Sequence, residues 1–443
     1  MSTSEPRTGA AAATSTPTPG PPPGRGGRSN GAAVVRLAVV VAAVVALALV
    51  LHAGDVLLVV AAIVVMVMLH ELGHFATAKW SHMKVTEYFL GFGPRLWSIR
   101  RGETEYGVKA IPAGGYVRIV GMSNLEEVDP ADEPRTYRQQ PFRKRLLVAV
   151  AGSFMHFLMA FVLLWSLAVF VGVPHSTRAS IAAMAPVAKG VDPAQAAGLR
   201  PGDQLLAVDG RKVTSITMLT CAIEGAAGRP VSLQVERQGR IVPLTVTPAP
   251  VHDPAARAAG CSTTATAGRI GVEVQAVPGP GVTVNPLRGF AEAGTLTGQA
   301  FSGTWAGLVQ TFSPHGLTRF FHQVISSRAA ARAAKTGDRP QSIIGVVRIG
   351  AQGAQSGAFD LLWFLAVINV FFGVFNLLPL PPLDGGHVAV AVYERIRSRK
   401  GRPYHADAAK LAPLAYAFLL FLVVFAGSAL FLDIAHPIVN PYK

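Results

Sequence analysis

Val64-Val65-Met66-Val67-Met68-Leu69-His70-Glu71-Leu72-Gly73-His74 closes an apolar run that begins at Val56. With about 3.6 residues per turn, positions four apart share a helix face, so both imidazoles can reach one metal ion. Glu71 is offset around the helix, where its carboxylate can contact a metal-bound water instead of the metal. Zinc lowers the pKa of such a water, and a carboxylate beside it accepts the proton as hydroxide attacks a peptide carbonyl. The same carboxyl, once protonated, can hand the proton to the leaving amine. The competing reading is a surface helix with two solvated histidines. The setting argues against it, because such side chains in a membrane-length apolar run cost several kcal/mol unless paired or coordinated.

Composition agrees with a bilayer. Half of the 443 residues are apolar and 15% are charged, against about 25% in soluble domains. The net charge of +15 raises nucleic-acid binding as an alternative. The basic residues do not form one stripe with interleaved aromatics, however. They sit beside apolar runs, at Arg100-Arg101, Arg143-Lys144-Arg145 and Arg395 to Arg402, as cytoplasmic loops next to membrane spans do. No nucleic-acid partner is expected.

Residues 1–33 are rich in Ala, Ser, Thr, Pro, Gly and Arg and read as a disordered tail. Five runs of near-spanning length follow, at 34–51, 55–78, 146–173, 359–378 and 411–432. The first is read as a retained extra span and not a signal peptide, since Leu51-His52-Ala53 is a poor cleavage site. Lys and Arg in the short loops orient the chain. The N-terminus is expected in the cytoplasm, 79–145 forms a basic cytoplasmic loop, and 174–358 is exported. The fourth run returns to the basic segment 395–410, and the last leaves the C-terminus outside.

The exported region carries its own folded unit. Ala196 to Gly210 alternates turn signals with a short apolar strand, and Val231 to Val246 reads as a β-hairpin about Gln238-Gly239. The pattern over 178–250 resembles a PDZ domain of bacterial protease type, which binds extended chains by strand addition; a small β-rich spacer is the plainer alternative. Residues 251–358 are an extracytoplasmic extension. Cys221 and Cys261 are too few for a disulfide framework, and the sequence leaves one bridge or two thiols open.

Catalytic zinc wants three protein ligands and an open position. Thr77 and Trp80 stand where an extended HExxHxxGxxH motif needs Gly and His, so the third ligand must come from elsewhere. The fourth run, continuing to 394, contains Asn376-Leu-Leu-Pro379-Leu-Pro381-Pro-Leu383-Asp384-Gly385-Gly386-His387. An aspartate in such a Pro- and Gly-rich stretch implies irregular backbone at membrane depth, tolerated only in protein or along a wet cavity. By the expected orientation, this aspartate and the HELGH motif lie near the cytoplasmic ends of their spans.

HExxH in one transmembrane helix with NxxPxPxLDG in a later one resembles the site-2 protease family of intramembrane zinc metalloproteases. The intervening PDZ pattern is similar to its bacterial branch, which cleaves membrane-bound anti-sigma factors. The resemblance covers about residues 56–435. It includes a membrane-associated β-loop at Gly91 to Gly121 and the segment Ser342 to Gly350 before a core helix. It implies a polytopic α-helical membrane protein of about five spans with an inserted β-rich PDZ domain. It further implies His70, His74 and Asp384 as zinc ligands, Glu71 as general base and Asn376 near the substrate. Expected substrates are single-span membrane proteins, cut first by another protease. Two departures stand out: the extra span at 34–51, and His156 where the family has Asn, Ser or Gly. A packed or hydrogen-bonded histidine is expected there, not a fourth ligand. His387 is expected beside the ligand set without joining it. The alternative is a catalytically inactive PDZ membrane scaffold, which would have no use for Glu71. A metal transporter would need further ligands in series along the spans, and these are missing.

Overall fold

The structure, a computed structural model, describes residues 30–122, 126–174, 177–187, 191–252, 266–278, 281–337, 339–398, 404, 406 and 408–442. Most of the expected N-terminal tail, and Cys261, lie outside these residues. Helix α1 (Asn30–Val50) turns at His52 into α2 (Gly54–Trp80), which carries the HELGH motif. Strands β1 (Val85–Arg101) and β2 (Thr104–Ile119) follow, then α3 (Phe142–Ser166), which ends in a wide helical turn at Leu167–Val171.

A β-rich domain is inserted next. It comprises β3 (Val173–Pro174), β4 (Thr177–Met184), α4 (Pro193–Ala196), β5 (Gln204–Val208), β6 (Arg211–Lys212), α5 (Ile216–Glu224), β7 (Val231–Arg237) and β8 (Arg240–Val246). It closes with β9 (Ala249–His252), β10 (Thr266–Arg269), β11 (Val272–Pro278) and β12 (Gly281–Val282). The chain then runs through α6 (Pro286–Phe312), α7 (Pro314–Ile325), α8 (Ser327–Thr336), α9 (Ile343–Ser356), α10 (Ala358–Asn376), α11 (Asp384–Arg397) and α12 (Ala408–Ala435).

Five of these helices are long and apolar enough to cross a membrane: Gly31–Val50, Gly54–Trp80, Phe142–Val171, Ala358–Asn376 and Lys410–Ala435. They match the five runs read from the sequence. In hydrocarbon every backbone N–H and C=O needs an internal partner, so such runs become helices. The long α3 is the hub, against which α2, α6, α10 and α11 pack. Its contact with α2 depends on the absence of side chains. A Cβ at Gly73 would lie 2.6 Å from the Ala151 carbonyl oxygen, so glycine lets the two backbones approach.

The β1–β2 unit is more than a hairpin, because both strands bend and pair twice. Val85 to Leu90 pairs with Gly115 to Ile119, Glu87 to Leu90 pairs also with Glu105 to Val108, and Arg95 to Arg101 pairs with Thr104 to Lys109. The limb Gly115 to Ile119 lies at one edge of the resulting four-limbed sheet. Tyr88 fastens the sheet to α2 through its hydroxyl, which donates to the Met68 carbonyl at 2.8 Å. Glu103 adds a second anchor by accepting from Lys79 at 2.6 Å and from Arg135 at 2.8 and 2.9 Å. The Arg135 guanidinium foremost, with Lys79, holds the Glu103 carboxyl down to about 2.

In the inserted domain the sheet order is β11-β4-β5-β7-β8, with β6 paired to β5. Its core includes Ile181, Leu205, Val208, Leu219, Leu233 and Val246. The expected hairpin forms about Gln238 (φ 51°) and Gly239 (φ 75°), a two-residue turn that suits the strand twist. The edge strand β11 comes from beyond the expected boundary at 250. Its pattern Val272-Glu-Val-Gln alternates as a half-buried strand should. The short ribbon β3–β12, pairing Val173 with Val282 and Pro174 with Gly281, joins the domain to the helices.

The sequence gives no separate signal for α6 within the 251–358 extension. This helix of 27 residues runs antiparallel along α3, from Trp165 Nε1 donating to Pro286 O at 3.1 Å to the Phe157–Phe301 ring pair at 6.1 Å. It continues beside α10 to the Phe312–Phe375 contact. Gly289, Ala293, Leu296 and Ala300 form its buried stripe. Further along, Arg339 and Asp433 make a fully buried pair at 2.9 Å that ties the approach to α9 to the end of α12.

Candidate metal centre

The candidate site is assembled from three helices. On α2, His70 and His74 point one way because they are four residues apart, and both are buried. Asp384 opens α11, beyond the turn that follows α10. That turn folds back so tightly that a Cβ on Gly385 would collide with the Leu377 and Leu378 carbonyls. One on Gly386 would meet Pro381, so the two glycines after Asp384 are what permit the reversal. Helix α3 supplies the wall. A Cβ at Gly152 would run into the His70 and His74 imidazoles, and only glycine fits.

The side chains converge on a point. His70 Nε2 and His74 Nε2 are 3.3 Å apart, and Asp384 Oδ2 lies 3.4 Å from the first and 3.3 Å from the second. A tetrahedral zinc ion with bonds of about 2.0–2.1 Å has its ligand atoms about 3.3–3.4 Å apart. The triangle therefore has the size of one face of that tetrahedron. Protonation agrees. His74 Nδ1 lies 2.8 Å from the Val148 carbonyl, which can only accept, so the proton is on Nδ1 and Nε2 presents a lone pair. A buried lone pair facing a carboxylate oxygen that accepts no hydrogen bond of good geometry calls for a cation between them. The donor set of two imidazoles and one carboxylate suits zinc.

Glu71 stands beside this triangle and outside it. The Val117 backbone amide lies beside its carboxylate, and a Cβ at Gly115 would sit 3.1 Å from Glu71 Cγ. The edge limb of the β1–β2 sheet thus passes directly by the carboxylate. Asn376, the last residue of α10, is half-buried.

His156 is buried and outside the cluster: among the described residues only His70, His74 and Asp384 form a group able to hold a metal ion. Its ring centroid is 4.8 Å from that of His70, and its Nδ1 is 3.0 Å from Asn369 Oδ1. His387 is one turn into α11, against Tyr137 at 6.5 Å, and borders a cavity of about 200 Å³ with Arg145 and Glu394. The sequence reading missed Gly152, Gly115 and Asn369. Asn369 had a signal, since it lies two turns before Asn376 on one face of an apolar helix.

The sequence pattern of Peptidase family M50 matches residues 58–423. Zinc metalloprotease Rip1 of Mycolicibacterium smegmatis is 34% identical, over 86% of this chain and 96% of its own length. Rip1 of Mycobacterium tuberculosis is 35% identical, over 85% of this chain and 96% of its own, and Rip1 of Mycobacterium bovis matches to the same extent. The chain belongs to peptidase family M50, the site-2 proteases, and is a multi-pass membrane zinc metalloprotease.

Proposed function

We propose that the protein is an intramembrane endopeptidase in which His70, His74 and Asp384 hold zinc and Glu71 is the general base. The observation that carries this reading is the 3.3–3.4 Å triangle of buried ligand atoms with a carboxylate alongside. Zinc, when bound, supplies Lewis acidity towards water and the scissile carbonyl. Glu71 accepts the proton of the attacking water on its carboxylate and delivers it to the departing amine nitrogen. The Val117 amide beside it favours the charged carboxylate that the first transfer needs.

A transmembrane helix hides its carbonyls in hydrogen bonds, so the substrate must first unwind into an extended strand. The edge limb Gly115 to Ile119 offers that strand a partner beside Glu71, and Gly115 lets the limb come close to that side chain. Asn376 lies close enough along the chain to Asp384 to hold or polarise the peptide there. Substrates are single-span membrane proteins of the anti-sigma factor kind, shortened beforehand by another protease.

The inserted domain acts as a PDZ domain on the far side of the membrane and screens those substrates. A cavity of about 440 Å³ between α5 and β11, lined by Leu219, Ile223, Val272 and Val274, supports the reading, as does the position of β11 at the sheet edge. The basic loops favour a cytoplasmic 79–145 segment and an active site near the cytoplasmic face. Cys221, held in a disulfide, favours an oxidising compartment for the domain.

The test is Glu71→Gln, expressed in cells with a tagged single-span substrate. Cleavage should stop while zinc stays near one per chain. Continued cleavage would remove Glu71 from the mechanism.

A further inference from the structure

We propose that His156 and Asn369 are a positioning pair that holds the His70 imidazole in its metal-binding orientation. The inference rests on the reading of His70, His74 and Asp384 as the zinc ligands. The two ligand histidines are supported differently. His74 is fixed by its own Nδ1, bonded to the Val148 carbonyl. His70 Nδ1, with the Gly152 backbone beside it, makes no hydrogen bond of good geometry. A metal-bound histidine ordinarily has a partner on its other nitrogen that fixes the ring, and its loss weakens metal binding. Something else must keep His70 from turning.

His156 is placed to do so. Asn369, on α10, donates from Nδ2 to the Leu365 carbonyl at 2.9 Å, which fixes its amide and turns Oδ1 towards α3. That oxygen only accepts, so the proton on His156 sits on Nδ1, and α10 sets the angle of the ring. Phe372 stacks on His156 at 5.8 Å, and His70 meets it at 4.8 Å with the planes tilted by 39°. The His70 ring is thereby held between His156 and His74, whose centroid is 4.9 Å away at 80°. All four polar side chains are buried, so water cannot take over the contacts. The pair spans 213 positions of sequence, and through it α10 reaches a residue of α2 by way of α3.

The test uses the full-length chain in detergent and zinc as the probe, with its Kd read by competition against a chromophoric chelator. His156→Asn keeps a donor near Nδ1 and removes the ring. Asn369→Leu removes the acceptor. Each should weaken zinc about 10–100-fold, the range for lost support of a ligand. His156→Phe restores a ring without its hydrogen bond and should fall between wild type and His156→Asn. The cobalt-substituted protein should show altered visible bands in the same order. Zinc affinities within twofold of wild type in all three variants, whatever their thermal stability, would overturn the proposal. His70→Ala is the control: if zinc affinity survives that change, the ligand assignment itself fails, and the two failures are distinguishable.

Discussion

At the scale of single residues, the site depends as much on missing atoms as on the ligands. Gly152 faces both imidazoles with nothing but hydrogen. Gly152→Ala places a methyl group where His70 and His74 meet, so the prediction is a site that cannot close. Zinc content should fall well below one per chain, and cleavage at least tenfold, while the protein still inserts and purifies; metal analysis checks this. A variant that keeps its zinc would show that α3 can withdraw. The ligands themselves were legible in the sequence, because a histidine, glutamate or aspartate in an apolar run has few bland explanations. Glycine and asparagine announce themselves less. The role of Gly152, Gly73 or Gly115 is an approach distance, and a distance across 74 residues, as between His74 and Val148, is not written in either neighbourhood.

At the scale of elements, the sheet of the inserted domain is tied to the turn before β5 by one ion pair. Arg237, ending β7, donates from Nε and Nη2 to the two oxygens of Asp203, both at 2.7 Å. Burial alone would raise the Asp203 carboxyl, but Arg237 and the Arg200 amide hold it below the ordinary carboxylate range. A depressed carboxylate contributes stability above its unfolded pKa of about 3.9 and loses it as pH falls through the folded value. The domain should therefore weaken below about pH 4, with the pair intact at neutral pH. Arg237→Met leaves Asp203 buried and unpaired, at a cost of about 3 kcal/mol at pH 7, measurable as a lowered Tm of the domain transition. The same substitution should remove that part of the acid sensitivity. Legibility varied among elements as well. The Gln238-Gly239 hairpin and the five spans follow from local pattern, turn chemistry in one case and unbroken apolarity in the other. Helix α6 does not, since its interior is rich in Gly and Thr and its burial comes from the faces of α3 and α10 that receive it. The second pairing of β1 with β2 was hidden for a similar reason, because a bent strand reads as one run.

At the scale of the whole molecule, the chain divides into a helical body that builds the metal site and a β-domain that enters and leaves it through the β3–β12 ribbon. If the domain only screens substrates, removing it should leave the site whole. Excision of residues 175–280, with a short Gly-Ser bridge between β3 and β12, should retain one zinc per chain and increase cleavage of substrates that have not been cut beforehand. Loss of zinc on excision would mean that the domain is part of the protease fold. The joint itself is two paired residues on each strand, and Gly172 sits so close to Gly281 and Val282 that a side chain there would collide with their backbones. Entry to and exit from the domain are thus side by side, as the two ends of a plug-in cartridge would be. A body that closes beneath such a joint can exchange what stands on it for another module with adjacent termini, and change which membrane proteins it admits without altering the chemistry below.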